Sequence, residues 1–152
     1  MFHPPVKSKA SGEESMEVHE IMQTDVAVLS PRASLREVAD LMHERDVRHV
    51  PVLEGGEIVG IVSDRDVRCY LTELYRSEPE STPSSARKTI PVREVMQSKP
   101  IAVDASADVR EVIDLLLDYK IGAVVVSDLE GHLQGIVSYE DVLRGLREES
   151  FD

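Results

Sequence analysis

The chain has no tryptophan, one cysteine, and only four tyrosines and two phenylalanines in 152 residues. A lone Cys69 excludes an internal disulfide, so the stapled scaffolds of small secreted domains are ruled out and a cytoplasmic setting is expected. Scarce aromatics leave the packing to Val, Ile and Leu, which suits short buried strands. Basic residues are few: 17 against 29 acidic ones give a net charge of −12. That balance argues against a nucleic-acid binder, whose affinity comes from neutralising phosphates, and against an anionic membrane surface. Long apolar runs are missing too, since the longest clean one, around Val124 to Val126, falls far short of the roughly 18 residues of a spanning helix. The opening "MFHPPVKSKASG" has no apolar core after its charges, so no signal peptide is read. Walker A, GxGxxG and GxSxG patterns are absent. His3, His19, His43, His49 and His132 lack the HExxH or Cys/His spacing of a metal site, and no metal is expected.

What the chain does contain is an internal echo. "VHEIMQT" from Val18 to Thr24 returns as "VREVMQS" from Val92 to Ser98. In the first half, Leu35, Val38, Ala39 and Met42 follow the spacing of an amphipathic helix, opened by a Ser34/Glu37 capping-box signature. In the second, Val109, Val112, Ile113 and Leu116 repeat the pattern after Asp108. Each helix is followed by two apolar runs joined by a glycine turn, at Gly55-Gly56 and near Gly131, which predicts a β-hairpin. A further helix follows each hairpin, with Val67, Tyr70, Leu71 and Leu74 in one copy and Val142, Leu143 and Leu146 in the other. The expected unit is strand, helix, strand, strand, helix, with the echoed phrase as entry strand and turn. Two copies suit two half-domains of an α+β fold rather than a solenoid. The division is residues 1–17 as a disordered tail, 18–75 and 91–147 as the units, 76–90 as a polar linker, and 148–152 as a C-terminal tail.

The sharpest echo is "GIVSDRD" from Gly60 to Asp66 against "GIVSYED" from Gly135 to Asp141. Ser-x-x-Asp where a strand turns into a helix is first of all a cap: the hydroxyl accepts from an orphan N–H and the carboxylate sits at the positive helix end. The same geometry also suits a nucleotide. Free N–H groups at a helix start attract phosphate, and an ionised Asp can accept two hydrogen bonds from a ribose diol. A Ser-His-Asp hydrolase is available on inventory, but both serines lie in duplicated positions without a nucleophile elbow. Cys69 follows Arg68 on a helix face expected to be buried and inert.

Taken together, "IMQTDVAVLSPRASLREVADLMHERDVRHVPVLEGGEIVGIVSDRDV" and "VMQSKPIAVDASADVREVIDLLLDYKIGAVVVSDLEGHLQGIVSYEDV" resemble tandem CBS domains, the motifs named after cystathionine β-synthase whose pairing is called a Bateman module. The resemblance spans about Val18 to Leu146. It implies two units related by a pseudo-two-fold axis, helices outside, and two clefts that take adenosine-containing ligands: AMP, ADP or ATP, and sometimes S-adenosylmethionine or NAD. By the family's arrangement, Ser138 and Asp141 would join Thr24, Ala27, Val47 and His49, with Arg48 close by. Ser63 and Asp66 would join Ser98, Ala102, Ile121 and Ala123, with Arg65 beside the carboxylate. Glu140 would repel a phosphate at the first cleft, whereas Arg65, Lys99 and Lys120 would favour one at the second.

The function so implied is a non-catalytic sensor of adenine nucleotides, acting on a separate target protein and pairing as a homodimer through apolar helix faces that carry Tyr70, Leu74, Leu143 and Leu146. The alternative is a ligand-independent dimerisation or scaffold module whose Ser-x-x-Asp motifs only cap helices.

Overall fold

The computed structural model describes residues 15–77 and 89–150. They form two compact units, one from Ala27–Lys99 and the other from the described residues of Met1–Val26 and Pro100–Asp152. Among the described residues there are four α-helices and two three-stranded sheets. The fold is thus mixed helix and strand, as the alternation of periods predicts.

In the Ala27–Lys99 unit, α1 (Leu35–Arg45) opens on the predicted capping box. Ser34 Oγ accepts from the Glu37 N–H at 3.2 Å, and the Ser34 N–H donates to Glu37 Oε2 at 2.9 Å. Two orphan donors are satisfied reciprocally. The helix ends at Asp46 in the left-handed region, φ 51°. Leu35 and Val38 are buried, but Ala39, expected on the apolar face, is exposed, and Leu41 and Met42 complete the stripe. The buried stripe is turned toward Leu41, which leaves the Ala39 methyl at its far edge. Strands β1 (His49–Glu54) and β2 (Glu57–Ser63) pair antiparallel across Gly55-Gly56. Both turn residues have positive φ, +58° and +83°, which glycine adopts without steric cost. The short β3 (Gln97–Ser98) adds to β2, and α2 (Asp64–Ser77) leaves β2 directly.

The other unit repeats the plan. Its β4 (Ala102–Val103) runs parallel to β5 (Ala123–Ser127), which pairs antiparallel with β6 (Leu133–Ser138). Helix α3 (Val109–Tyr119) precedes the hairpin and α4 (Tyr139–Ser150) follows it. Asp108 caps α3 by accepting from the Arg110 N–H at 2.8 Å, a bond one residue earlier than the one Ser34 makes. Both lie within the reach of a cap side chain.

The echoed phrase keeps its strand only at its end, as Gln97–Ser98 in one copy and the Gln23 bridge to Ile136 in the other, and its opening differs from the expected form. Val18–Glu20 and Val92–Glu94 are 3₁₀ turns rather than strands. The cause is legible in retrospect: Val18, Ile21 and Met22, like Val92, Val95 and Met96, stand at spacings of three and four, a helical period rather than an alternating one. The entry segment of the first half is likewise reduced to isolated bridges, Gln23 antiparallel with Ile136 and then Leu29 parallel with Val52. Two residues later Pro31 has no N–H to extend a ladder.

Each turn joins the core of the unit that holds the other half's hairpin. Val18 is buried with Val103, Val112, Val124 and Val137, and its N–H donates to the Ala107 carbonyl at 2.8 Å. Val92 and Val95 are buried with Val38, Val50, Val52 and Val62, and the Val92 N–H donates to the Ala33 carbonyl at 2.7 Å. Each core is therefore closed by the phrase that opens the other half.

Most of the tail and linker readings lie outside the described residues. Of the rest, the Met16 carbonyl accepts from the Val109 N–H at 2.9 Å. Arg76 and Ser77 form the last turn of α2, and α4 runs through residues 148–150. Cys69 is exposed rather than turned to a buried face. Leu143 and Leu146 are exposed on α4, while Tyr70 and Leu74 are half-buried, with the Tyr70 hydroxyl donating to Glu94 Oε2 at 3.2 Å.

Candidate functional site

Each Ser-x-x-Asp motif sits where a hairpin strand becomes a helix, and the four donors that a helix start leaves orphaned can be followed one by one. At the first turn the Ser63 N–H donates to Asp66 Oδ2 at 3.0 Å, the Asp64 N–H to the Arg48 carbonyl at 2.9 Å, and the Asp66 N–H to Ser63 Oγ at 3.0 Å. Only the Arg65 N–H has no partner among the described residues. At the second turn the Ser138 N–H donates to Asp141 Oδ2 at 2.9 Å, the Tyr139 N–H to the Gly122 carbonyl at 3.0 Å, and the Asp141 N–H to Ser138 Oγ at 3.4 Å. There the Glu140 N–H remains. Both motifs are capping boxes with aspartate in the closing position, so the capping reading holds geometrically at both.

A side chain that the sequence reading missed approaches each carboxylate. Gln97 Nε2 donates to Asp66 Oδ1 at 3.3 Å, and Gln23 Nε2 donates to Asp141 Oδ1 at 2.9 Å. The signal was in the echo, because "MQ" recurs in both phrases. It works on the glycine of "GIVS". A Cβ on Gly60 would stand 2.5 Å from Met96 Sδ and 3.0 Å from the Gln97 carbonyl. On Gly135 it would stand 2.8 Å from the Gln23 carbonyl and 2.9 Å from Met22 Sδ. Glycine lets each Met-Gln pair lie flat on the strand, which aims its Gln at the Asp.

The turns differ in charge and exposure. Asp141 is buried to 5% exposure and takes the Arg144 guanidinium at 3.0 Å on Oδ1, and the Ser138 hydroxyl donates to its Oδ2 at 3.0 Å. Asp66 is only half-buried, and the exposed Arg65 stands beside it where Glu140 stands beside Asp141.

The other expected site residues divide between the units. With Ser63 and Asp66 the structure places His49, opposite Ser63 in the sheet, and Ser98, opposite Gly60, together with Ala27, Val47 and Arg48. With Ser138 and Asp141 it places Ala123, opposite Ser138, and Thr24, Ala102 and Ile121. His49 and Ile121 are half-buried, Ala102 and Ala123 are buried, and Thr24, Val47, Arg48 and Ser98 are exposed.

One cluster was not anticipated. Asp128, Glu130 and His132 bring one ligand-type atom each within 4.8 Å of one another in the β5–β6 loop. There Asp128 Oδ1 accepts from the Glu130 and His132 N–H groups, both at 2.9 Å, and its Oδ2 lies 3.1 Å from His132 Nδ1. The His132 backbone bond leads in holding the Asp128 carboxyl below its ordinary pKa, with burial opposing and the His132 ring and the Glu130 N–H assisting. The cluster pins the loop.

Among the described residues no helix is long and apolar enough to cross a membrane. The chain is 36% identical over 140 residues to an uncharacterized 33.4 kDa protein in the ribosomal RNA operon of Thermofilum pendens, covering 90% of this chain and 46% of that one. This chain thus spans about half of that relative. It is 28% identical to the CBS domain-containing protein YhcV of Bacillus subtilis, over 82% of this chain and 81% of that one. Among solved structures, that of CBSX2 in complex with AMP superposes with a TM-score of 0.71 at 26% identity, covering 88% of this chain and 98% of the other. The CBS domain model matches twice, at residues 18–73 and 92–148. On these two matches and on the doubled fold that carries them, the chain belongs to the CBS domain family.

Proposed function

We propose that this protein is a non-catalytic regulatory module that binds an adenosine-containing ligand at its Ser-x-x-Asp turns and signals to a separate partner protein. The observation that carries the reading is the carboxylate held at a strand-to-helix turn in both units, Asp66 and Asp141. An ionised carboxylate so fixed can accept both hydroxyls of a ribose, while the adjoining helix start favours phosphate. The AMP in the related CBSX2 structure supports the same ligand class here. AMP, ADP or ATP are the leading ligands, with S-adenosylmethionine and NAD as variants on the same adenosine. His49, Val47, Arg48, Thr24, Ala27, Ser98, Ala102, Ile121 and Ala123 are the proposed lining. Ligand that favours one conformation over another shifts its population, and that differential affinity is the signal. A cytoplasmic homodimer is the proposed working form.

The satisfied capping bonds favour a second reading, a ligand-independent scaffold. Thermal unfolding with AMP, ADP, ATP, S-adenosylmethionine and NAD separates the two. A ligand at one hundred times its Kd stabilises by roughly 2.7 kcal/mol. The sensor reading expects that shift in the native protein and its loss in an Asp66→Ala, Asp141→Ala double variant. No shift in either, with the variant simply melting lower, leaves the scaffold.

A further inference from the structure

A carboxylate offers about four acceptor positions. At Asp141 all four are taken: Oδ2 by the Ser138 N–H and hydroxyl, Oδ1 by Gln23 and Arg144. Asp66 receives only two donors among the described residues, the Ser63 N–H and the longer bond from Gln97. The hydroxyl hydrogen differs as well. Ser138 spends it on Asp141, while Ser63 Oγ accepts from the Asp66 N–H and has no acceptor for its own hydrogen among the described residues. The residue three positions past each Asp decides much of this. Arg144 stands three after Asp141 and pairs with it; Cys69 stands three after Asp66, exposed and uncharged. The one leftover helix-start N–H belongs to a cation at the first turn, Arg65, and to an anion at the second, Glu140.

We infer that Arg144 is an internal plug: with Gln23 it occupies the Asp141 carboxylate, so that each chain binds one adenosine ligand, with its ribose diol on Asp66. This rests on the nucleotide-binding reading above and assigns that reading to one of two turns. A diol arriving at Asp141 must displace a guanidinium whose bond to a buried carboxylate joins two opposite charges, and it offers donors that carry no charge in return. At Asp66 it finds acceptor positions open and a hydroxyl ready to donate, and the exposed Arg65, next in sequence, supplies a cation for phosphate.

The test uses the whole chain and AMP, by isothermal titration, with 2′,3′-dideoxy-AMP as the ligand that lacks the diol. The native protein is expected to bind one AMP per chain and the dideoxy analogue at least tenfold more weakly. Cys69→Arg, on an exposed position, transplants the plug and should weaken AMP binding at least tenfold. Arg144→Met, which trims a half-exposed side chain, should raise the stoichiometry to two, and Arg144→Met with Asp141→Asn should return it to one. Two equal sites in the native chain, or unchanged titrations in both Cys69→Arg and Arg144→Met, overturn the plug while leaving nucleotide binding intact. Absence of AMP binding in the native protein and in Arg144→Met alike overturns the binding reading itself.

Discussion

Gln23 donates through Nε2 to Asp141 Oδ1 at 2.9 Å, across 118 positions of sequence. Gln97 makes the matching bond to Asp66 at 3.3 Å. In each unit an arriving segment lays Met and Gln along the glycine of the hairpin's second strand, and the Gln reaches the helix that follows. The contact needs a strand without a side chain at one point, so the Gly-Ile-Val-Ser motif serves the carboxylate as much as the turn itself.

Gly135→Ala should therefore destabilise the fold by about 1–3 kcal/mol, the usual cost of forcing atoms into a packed region. Its new methyl meets backbone, the Gln23 carbonyl at 2.8 Å, which cannot swing aside. Gly60→Ala should cost less, because its nearest neighbour is the flexible Met96 side chain. Urea unfolding of the two variants against the native chain checks the order; equal costs would mean that the backbone contact is unimportant.

Ser34→Ala removes the hydroxyl that accepts from the Glu37 N–H. A loss of about 1 kcal/mol is expected, with most of it restored in Ser34→Asp, since aspartate caps as well as serine. Thermal melts of the pair are the measurement, and an Asp variant no better than Ala would assign the loss to something other than the cap.

Val18→Ala should cost about 2 kcal/mol, from two lost carbons and the cavity they leave in a fully buried position. The informative readout is where protection falls. Amide hydrogen exchange should quicken first in α3, β5 and β6, whose core Val18 joins, and later in α1, β1 and β2. The reverse order would contradict the placement of the N-terminal segment.

Asp128 is held below its ordinary pKa of 3.8, chiefly by the His132 N–H. A carboxyl whose folded pKa is depressed contributes stability that is present above its unfolded value and is lost as pH falls through the folded one. Carbon-13 titration of the carboxyl should place its midpoint below 3.8. In Asp128→Asn the same acid limb of the stability curve should flatten, and an unchanged limb would remove the loop bonds from the explanation.

Much of the plan was legible because each signal was local and repeated. Ser34 with Glu37, the pair Gly55-Gly56, and the stripes of α1 and α3 are set by spacings of three, four and two, which a chain states directly. The exceptions have physical causes. Ala39 has the right period but lies at the far edge of a stripe turned toward Leu41. Val18 and Val92 carry a helical spacing, but over a turn of only three residues it is too short a signal to outweigh the strand that the order of the unit predicts. Gln23 and Gln97 were overlooked because an amide is unremarkable until the fold supplies a carboxylate for it.

By itself the sequence determined the duplication, the caps, the glycine turns and the carboxylates at both helix starts, since these depend on neighbours a few residues away. Tertiary structure decided which core each echoed phrase joins, through long-range burial of Val18 and Val92 that local spacing does not encode. It also decided that two near-identical motifs are unequal. Asp66 and Asp141 are the same residue in the same local turn, and Arg144 three positions on is a difference the chain states locally, but only the folded chain brings a close Gln23 onto Asp141 while Gln97 stays longer on Asp66.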